Sequence, residues 1–327
     1  MPKPDQVEIE AQSNEIVKAG LAEEYCGKDF PRYCSPAMLV DKEKNKSEKT
    51  SKTKRMCFDY RKLNQRTQLH VGSLPNMEDA IETLCKFKYK CKLDMRSGFW
   101  QVSLSERARE LCSFITPSGR VFKPLVMPFG LSNAPPIFQE LMEKVIAICK
   151  QREEVKPLFD AQKIHLGAFF DDSALGAQSK DHLLLLLDIW LDVCESNNLR
   201  VKLSKCQLME ESMEYLDFVV GNHWLKPSEN KVQSILTAKV NNLATLRSFL
   251  GAANFLRRHV RNFTFSSAIL TNLLKHSNKW EWTSDHENAF NELKGKIADA
   301  KGLGVPQPKG EILLVTDSSN LGGGASM

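Results

Sequence analysis

The chain has 327 residues, 42% of them hydrophobic, and a formal net charge of +5 at pH 7. This length and apolar content can supply a sizeable core in two or three domains, which excludes a disordered or fibrous chain. No run reaches the roughly 18 apolar residues that a membrane helix needs, and the first residues lack the apolar centre of a signal peptide. We therefore expect an intracellular protein without membrane contact.

The distribution of charge indicates the kind of partner, and the cysteines indicate the state of the thiols. Residues 41–55 carry seven Lys/Arg against three acids, and residues 256–261 form a second basic cluster, so polyanions are plausible partners. The nine cysteines include no Cys-x-x-Cys pair, which favours reduced thiols over a disulfide framework or a zinc site.

The first half of the chain mixes helices and short strands. Residues 5–23 have a loose helical apolar pattern broken at Gly20, and residues 36–40 and 55–60 are strand-like runs around a long basic hairpin. Residues 89–95 alternate lysine with apolar residues, which predicts a strand with one buried face, continued by residues 99–105. After a turn at 116–120, Ser132 or Asn133 can cap a helix. The predicted apolar face of that helix is Ile137, Phe138, Leu141, Met142, Val145 and Ile146.

The second half begins with a predicted strand, tip and strand over residues 165–177. Residues 180–196 form a helix that is apolar nearly all round, hence buried, and residues 228–298 favour helices only. Residues 310–326 predict a strand that leads into a glycine-rich turn. Short strands with packing helices make the fold class α+β.

Two adjacent aspartates, Asp171 and Asp172, interrupt the apolar run 165–177. Taken alone they favour a solvated hairpin tip, since Asp is a common turn residue. The alternative is a hard divalent cation, which would need a third carboxylate from another strand. Asp94, at the end of a predicted strand, is the best candidate; for Asp59 an ion pair with a neighbouring arginine is the simpler account. Spacing alone does not decide between these readings.

Six sequence motifs, taken in chain order, resemble those of a known protein family. They are RMCFDYRKLNQRT (55–67), LPNMEDA (74–80), KLDMRSGFWQVSL (92–104), VMPFGLSNAPPIFQ (126–139), FFDD (169–172) and LSKCQL (203–208). In order and rough spacing they resemble the reverse transcriptase of gypsy-type LTR retrotransposons and their retroviral relatives. The segments LRSFLGAANFLRRHVRNF and KWEWTSDHENAFNELK resemble the region that follows it, and LLVTDSSNLGGGA resembles the start of a ribonuclease H domain.

The resemblance implies a right-hand polymerase fold. We expect fingers and palm in residues 1–227, a helical thumb or connection segment in 228–309, and an incomplete ribonuclease H-like start in 310–327. Of the acidic set of that last domain only Asp317 is present. The cytoplasm, inside a retrotransposon particle, is the compartment that the resemblance implies, with the nucleus as the alternative.

The resemblance also implies a carboxylate catalytic centre. Asp94, Asp171 and Asp172 align with ligands for two Mg²⁺ ions, or Mn²⁺, which act at the primer 3′-hydroxyl and the incoming triphosphate. Because successive strand side chains alternate in direction, the adjacent aspartates should not be equivalent, and family precedent favours Asp171. Lys205 aligns with a lysine that protonates the departing pyrophosphate; an ordinary surface lysine is the alternative.

Other aligned residues imply a nucleotide pocket and a nucleic-acid path. Phe99 stands where an aromatic ring excludes a ribose 2′-hydroxyl, with core packing as the alternative, and Arg55 aligns with an arginine that grips the triphosphate. The predicted nucleotide-binding residues are Arg55, Phe99, Phe129 and Gly130. The predicted nucleic-acid-binding residues are Asp59, Arg61, Pro135, Arg257 and Arg258. The expected partners are an RNA template, a DNA primer or template, and dNTPs, held largely through phosphates.

Departures from the family pattern leave two functional hypotheses. Phe169 replaces a tyrosine, and Asp217 stands where the primer-gripping turn has glycine, although aspartate enters the left-handed region less freely. The first hypothesis is an RNA-directed DNA polymerase. The second is a decayed or host-retained copy that binds nucleic acid without synthesis. A two-metal nuclease is a third reading, which would leave Phe99 and the PFGLSNAP motif without a purpose.

Overall fold

The computed structural model describes residues 3–26, 31, 33–41, 54–70, 72, 75–275, 280–305, 315–319 and 322–326. The predicted basic hairpin of residues 42–53 lies outside the described residues. In the part that is described, the helices are α1 Lys3–Lys18, α2 Arg61–Asn64, α3 Met77–Cys85, α4 Glu106–Leu111, α5 Ala134–Lys150, α6 Lys156–Asp160, α7 Lys180–Ser196, α8 Glu229–Leu236, α9 Leu243–Phe255, α10 Phe263–Asn272 and α11 Ser284–Ala298.

The strands alternate with these helices along the first two thirds of the chain. They are β1 Ala22–Glu24, β2 Ser35–Asp41, β3 Lys54–Phe58, β4 Tyr89–Asp94, β5 Phe114–Ile115, β6 Val121–Pro124, β7 Ile164–Phe169, β8 Asp172–Ala177, β9 Gln207–Glu210, β10 Met213–Tyr215, β11 Phe218–Val220, β12 Trp224–Pro227, β13 Leu303–Gly304, β14 Val315–Ser319 and β15 Gly322–Ser326. The α+β class predicted from the sequence is confirmed.

The chain folds into two compact units. The first comprises Met1–Asn76, Cys91–Leu175 and Asp181–Leu208, and the second Met77–Lys90, Gly176–Lys180 and Met209–Met327. These boundaries follow the three-dimensional contacts and differ from the predicted division at residues 227 and 309. The assignment of fingers, palm and thumb therefore stays a prediction.

A five-stranded sheet of order β1-β6-β5-β2-β3 builds the first unit together with α1. Only β2 and β5 pair in parallel among its registered neighbours. Its core is apolar and largely aromatic, because inward-facing strand positions pack on α1. The buried cluster consists of Ile9, Ala22, Ala37, Met56, Phe58, Tyr60, Cys112, Phe114 and Phe122. Arg120 secures this arrangement with salt bridges to Glu10 and Glu24.

A four-stranded sheet of order β7-β8-β4-β9 places the ends of β4, β7 and β8 side by side. The strand, tip and strand predicted over residues 165–177 appear as β7 and β8. In the second unit, β10-β11-β12-β13 form a further sheet, and α8 to α11 account for the helices predicted over residues 228–298. None of the helices among the described residues is both long and apolar enough to cross a membrane.

Three local predictions were wrong. The strand does not continue through residues 99–105: Gly98–Gln101 is a 3₁₀ turn, because Ser97 enters the left-handed region at φ 53° and turns the chain. Ile137, assigned to the buried face of α5, is 37% exposed. The helix α7 is not buried all round, since it exposes three leucines. They are Leu184, Leu185 and Leu191.

Candidate active site

The hairpin β7–β8 brings the adjacent aspartates to the end of β4. Phe170 and Asp171 form the connection, and Phe170 adopts the left-handed conformation at φ 54°. The backbone N–H of Met95 donates to the carbonyl of Asp171 at 2.9 Å, so Asp94 ends its strand beside the aspartate pair. The structure thus brings together the three carboxylates that the sequence singled out.

Asp171 is the carboxylate most disturbed by this arrangement. The residue as a whole is exposed to solvent. Nearby protein atoms nevertheless desolvate its carboxylate, and this desolvation is the main cause that raises its pKa. The negative charges of Asp172 and Asp94 raise the pKa further, and Lys205 acts in the opposite direction. A cation bound near these three carboxylates would reduce the repulsion between their like charges.

Two lysines supply part of the countercharge. Lys205 Nζ lies 3.5 Å from Asp94 Oδ2, and its role at the pyrophosphate stays a prediction. Lys92 Nζ lies 3.1 Å from Asp172 Oδ2. Sequence reasoning missed Lys92, although the alternation of β4 carried a signal: residues 92 and 94 point to the same face of the strand.

The donor set suits a hard divalent cation, since carboxylate oxygens are what Mg²⁺ prefers. Among the described residues, however, no three His, Cys, Asp or Glu side chains are already arranged as a metal-binding group. One reason is visible at Asp172, whose carboxylate is engaged by Lys92. A cation that entered here would relieve the repulsion felt by Asp171, so the residues fit the group.

Gly98 links the carboxylates to an aromatic cluster. A Cβ at Gly98 would lie 2.9 Å from Phe138 Cζ and 3.3 Å from the Cβ of Asp171, closer than side chains normally pack. Only glycine leaves room here for the hairpin tip and α5 to approach one another. The residue that follows it, Phe99, is therefore held next to the carboxylates.

The aromatic cluster collects the predicted nucleotide-binding residues. The ring centroid of Phe99 lies 5.3 Å from that of Phe129 and 5.7 Å from that of Phe138. Arg55 on β3 places its guanidinium carbon 5.5 Å from the Phe129 centroid. Gly130 continues the loop at φ 99°, a conformation that favours glycine. Phe99, Phe129 and the exposed Arg55 thus lie in contact, and Gly130 follows Phe129 directly in the chain.

Gln139, which sequence reasoning missed, holds the hairpin tip from α5. Its Oε1 accepts from the Phe170 N–H at 2.8 Å, and its Nε2 donates to the Ala168 carbonyl at 3.1 Å. The side chain is 2% exposed, so the bond to Ala168 is shielded from water and the bond from Phe170 is partly shielded. A single glutamine near the start of a helix carries no pattern that marks such a role.

The residues predicted along the nucleic-acid path are divided between the two units, and several are already paired. Arg61 makes a bidentate contact with Asp59, the ion pair that the sequence favoured, and the hydrogen bonds from Arg61 lower the pKa of Asp59 to about 2. Pro135 occupies the first turn of α5. In the second unit, Arg257 is exposed. Arg258 pairs with Glu78 and Glu82 at 3.2 Å each, so its charge is largely compensated.

Asp217 occupies a tight turn between β10 and β11. Leu216 and Asp217 both adopt positive φ, 50° and 66°, the pattern of the two-residue hairpin turns that favour Asn and Gly. The Asp217 carboxylate lies 2.7 Å from Lys231 Nζ. That ammonium also lies 4.4 Å from the centroid of Phe255. The negative charge that marked the departure from the family pattern is therefore countered within the same unit.

Comparison with known proteins finds relatives of the kind that the six sequence motifs resemble. Over 322 residues, 98% of this chain, the sequence is 29% identical to the retrovirus-related Pol polyprotein from transposon 297 of Drosophila melanogaster. It is also 29% identical over 306 residues to the Pol polyprotein from transposon gypsy of the same organism. The chain spans 29% and 28% of the length of these relatives.

The fold has close counterparts of known structure. The foamy viral protease-reverse transcriptase dRH in complex with double-stranded DNA matches 97% of this chain and 51% of its own, with a TM-score of 0.78 at 21% identity. The foamy viral protease-reverse transcriptase in complex with an RNA/DNA hybrid gives a TM-score of 0.72 at 20% identity, over 92% of this chain and 38% of its own. The family of reverse transcriptases (RNA-dependent DNA polymerases) matches residues 42–220, more than half of the chain. The chain therefore belongs to the reverse transcriptase family.

Proposed function

We propose that the chain is an RNA-directed DNA polymerase that extends a primer with dNTPs on an RNA or DNA template. The observation that carries this proposal is that Asp94, Asp171 and Asp172 lie together at the ends of β4, β7 and β8. Desolvation and the negative charges of its neighbours raise the pKa of Asp171 there, an effect that a bound cation would counter. The related foamy viral proteins were solved with double-stranded DNA and with an RNA/DNA hybrid, which supports such a duplex as the substrate.

In this proposal each group has a distinct part. When bound, two Mg²⁺ ions supply the charge that activates the primer 3′-hydroxyl and stabilises the pyrophosphate. Asp94 and Asp171, with Asp172 in a lesser part, would hold the cations, and the exposed guanidinium of Arg55 binds triphosphate oxygens. Phe99, whose ring packs against Phe129, excludes a ribose 2′-hydroxyl. Lys205, at the edge of the carboxylates, donates a proton to the leaving pyrophosphate.

The alternative is a copy that keeps the fold and binds nucleic acid without synthesis. Asp217 favoured that alternative, because a charge in a turn near a phosphate backbone would repel it. Its pairing with Lys231 weakens the argument.

Primer extension on poly(rA)/oligo(dT) with Mg²⁺ separates the two. We expect extension by the wild type and its loss in Asp171→Asn, while both proteins bind the duplex equally. Asp188→Asn, which removes the same charge from an exposed position on α7, should extend as the wild type does. If the folded wild type binds duplex but adds no nucleotide, the polymerase proposal is lost and the binding-only copy is favoured.

A further inference from the structure

Of the two lysines that contact the candidate catalytic carboxylates, Lys92 is the more buried. Its Nζ lies 3.1 Å from Asp172 Oδ2, and the two side chains are only 20% and 22% exposed. Lys205, by contrast, is 47% exposed and lies 3.5 Å from Asp94. Water screens the Lys92 pair less than the Lys205 pair, so the former restrains its carboxylate more firmly.

The three aspartates are therefore not alike. Asp172 is tied to Lys92, whereas Asp171, within the described residues, makes no salt bridge. Asp94 shares its strand face with Lys92, two residues away, and the Lys92 ammonium contacts the carboxylate of Asp172 on β8. A cation that approached Asp171 would have to compete with Lys92 for Asp172.

We propose that Lys92 is a positioning residue that holds Asp172 away from the incoming cation, so that Asp94 and Asp171 bind it and the Lys92–Asp172 pair contributes no net charge. This inference rests on the proposed function, because it concerns the cation site of the polymerase centre. It explains why three carboxylates converge without forming a ready metal-binding group among the described residues.

The inference predicts a specific pattern of Mn²⁺ affinities, measured on the full chain without nucleic acid by electron paramagnetic resonance of free Mn²⁺. Lys92→Met removes a positive charge near the site and frees Asp172, so Mn²⁺ should bind about tenfold more tightly. Asp172→Asn leaves Lys92 unpaired and should weaken binding by about tenfold. The double variant removes both charges of the pair and should return to within about threefold of the wild type.

Matched controls separate positioning from a general effect of charge or folding. Lys92→Arg keeps the cation and should leave the affinity within about twofold of the wild type. Lys163→Met removes a lysine that is exposed just before β7 and should change nothing. Circular dichroism and the urea midpoint establish that each variant is folded before its affinity is compared.

Two results would overturn the inference. If the double variant binds Mn²⁺ as weakly as Asp172→Asn, then Asp172 is itself a ligand; if Lys92→Met does not tighten binding, Lys92 does not restrain it. Mn²⁺ binding needs no primer or template, so its outcome is distinguishable from that of the proposed function. A protein that follows the pattern but adds no nucleotide keeps the inference and loses the polymerase activity.

Discussion

Gln139 holds Phe170 by a hydrogen bond of 2.8 Å from the Phe170 N–H to its Oε1, one residue before the aspartate pair. The same side chain donates to the carbonyl of Ala168, so the tip of the β7–β8 hairpin is fixed on both sides of Phe169. A buried α5 side chain thereby positions the backbone that carries Asp171.

Replacing Gln139 with alanine should loosen this tip. The N–H of Phe170 and the buried carbonyl of Ala168 would lose their partner, at a cost of about 1–3 kcal/mol in the free energy of unfolding. Primer extension should fall further than that stability loss explains, because Asp171 would lose its fixed position. Urea denaturation and single-nucleotide addition measure the two effects. Gln178→Ala, which removes one exposed hydrogen bond to the Lys86 carbonyl at 2.8 Å, is the control and should stay within about 0.5 kcal/mol of the wild type.

Gly98 should tolerate no side chain. An added Cβ meets the ring of Phe138 at 2.9 Å and Asp171 Cβ at 3.3 Å, so Gly98→Ala must displace the buried Phe138 ring or the hairpin tip. We expect a loss of about 1–3 kcal/mol in stability together with loss of primer extension. Gly251→Ala is the matched change, since a Cβ there meets nothing within 4 Å on helix α9. It should stabilise the protein by about 0.5–1 kcal/mol; equal behaviour of the two variants would contradict the packing argument.

Phe99 should set the choice between deoxynucleotides and ribonucleotides. Its ring packs against Phe129 and Phe138, so Phe99→Val opens space beside these two rings without removing a charge. The variant should add ribonucleotides that the wild type rejects, in assays that compare dNTP and rNTP incorporation on one primer. Phe99→Tyr keeps the ring and should keep the selectivity. An unchanged dNTP preference in Phe99→Val would refute the assignment.

Asp217 and Lys231 should behave as a pair. Asp217→Gly suits the positive φ of 66° and removes the acid, so it should be neutral or stabilising by up to about 1 kcal/mol. Lys231→Met leaves the acid uncompensated and should weaken duplex binding in a salt-dependent manner. The double variant should recover the loss. Fluorescence anisotropy with a labelled duplex at two salt concentrations measures this; additive single effects would show that the two residues act independently.

Lys90 should make the stability of the second unit depend on pH. Burial lowers the pKa of Lys90 to about 8, and its ammonium donates to the carbonyls of Phe87 and Glu211. In the unfolded chain a lysine titrates near 10.4, so between these values only the unfolded state keeps the proton and stability rises with pH.

The comparison variant is Lys90→Met, which cannot titrate. The free energy of unfolding of the wild type relative to Lys90→Met should grow between about pH 7.5 and about pH 9.5. This range covers the lower part of the window between about 8 and about 10.4. Lys86→Met, which removes an exposed lysine of the same segment, controls for net charge. A difference between wild type and Lys90→Met that stays constant with pH would contradict the prediction.

Sequence reasoning reached the strand ends and the three aspartates because alternation and acidic residues in an apolar run are local signals. It extended β4 too far, since the apolar spacing around Phe99 resembles a strand, while the turn depends on Ser97 entering the left-handed region. Gln139 and Lys92 were missed for a different reason. Their partners lie 31 and 80 residues away, and only the folded sheet brings them together.

Template-directed polymerase activity is tested by the addition of one nucleotide to a DNA primer on an RNA template of mixed sequence, with Mg²⁺ and each dNTP supplied alone. We expect only the complementary dNTP to be added, and we expect Asp171→Asn to lower the rate by at least about a thousandfold while duplex affinity is retained. Addition that ignores the template, or an Asp171→Asn variant that adds nucleotides at the wild-type rate, would contradict the polymerase proposal.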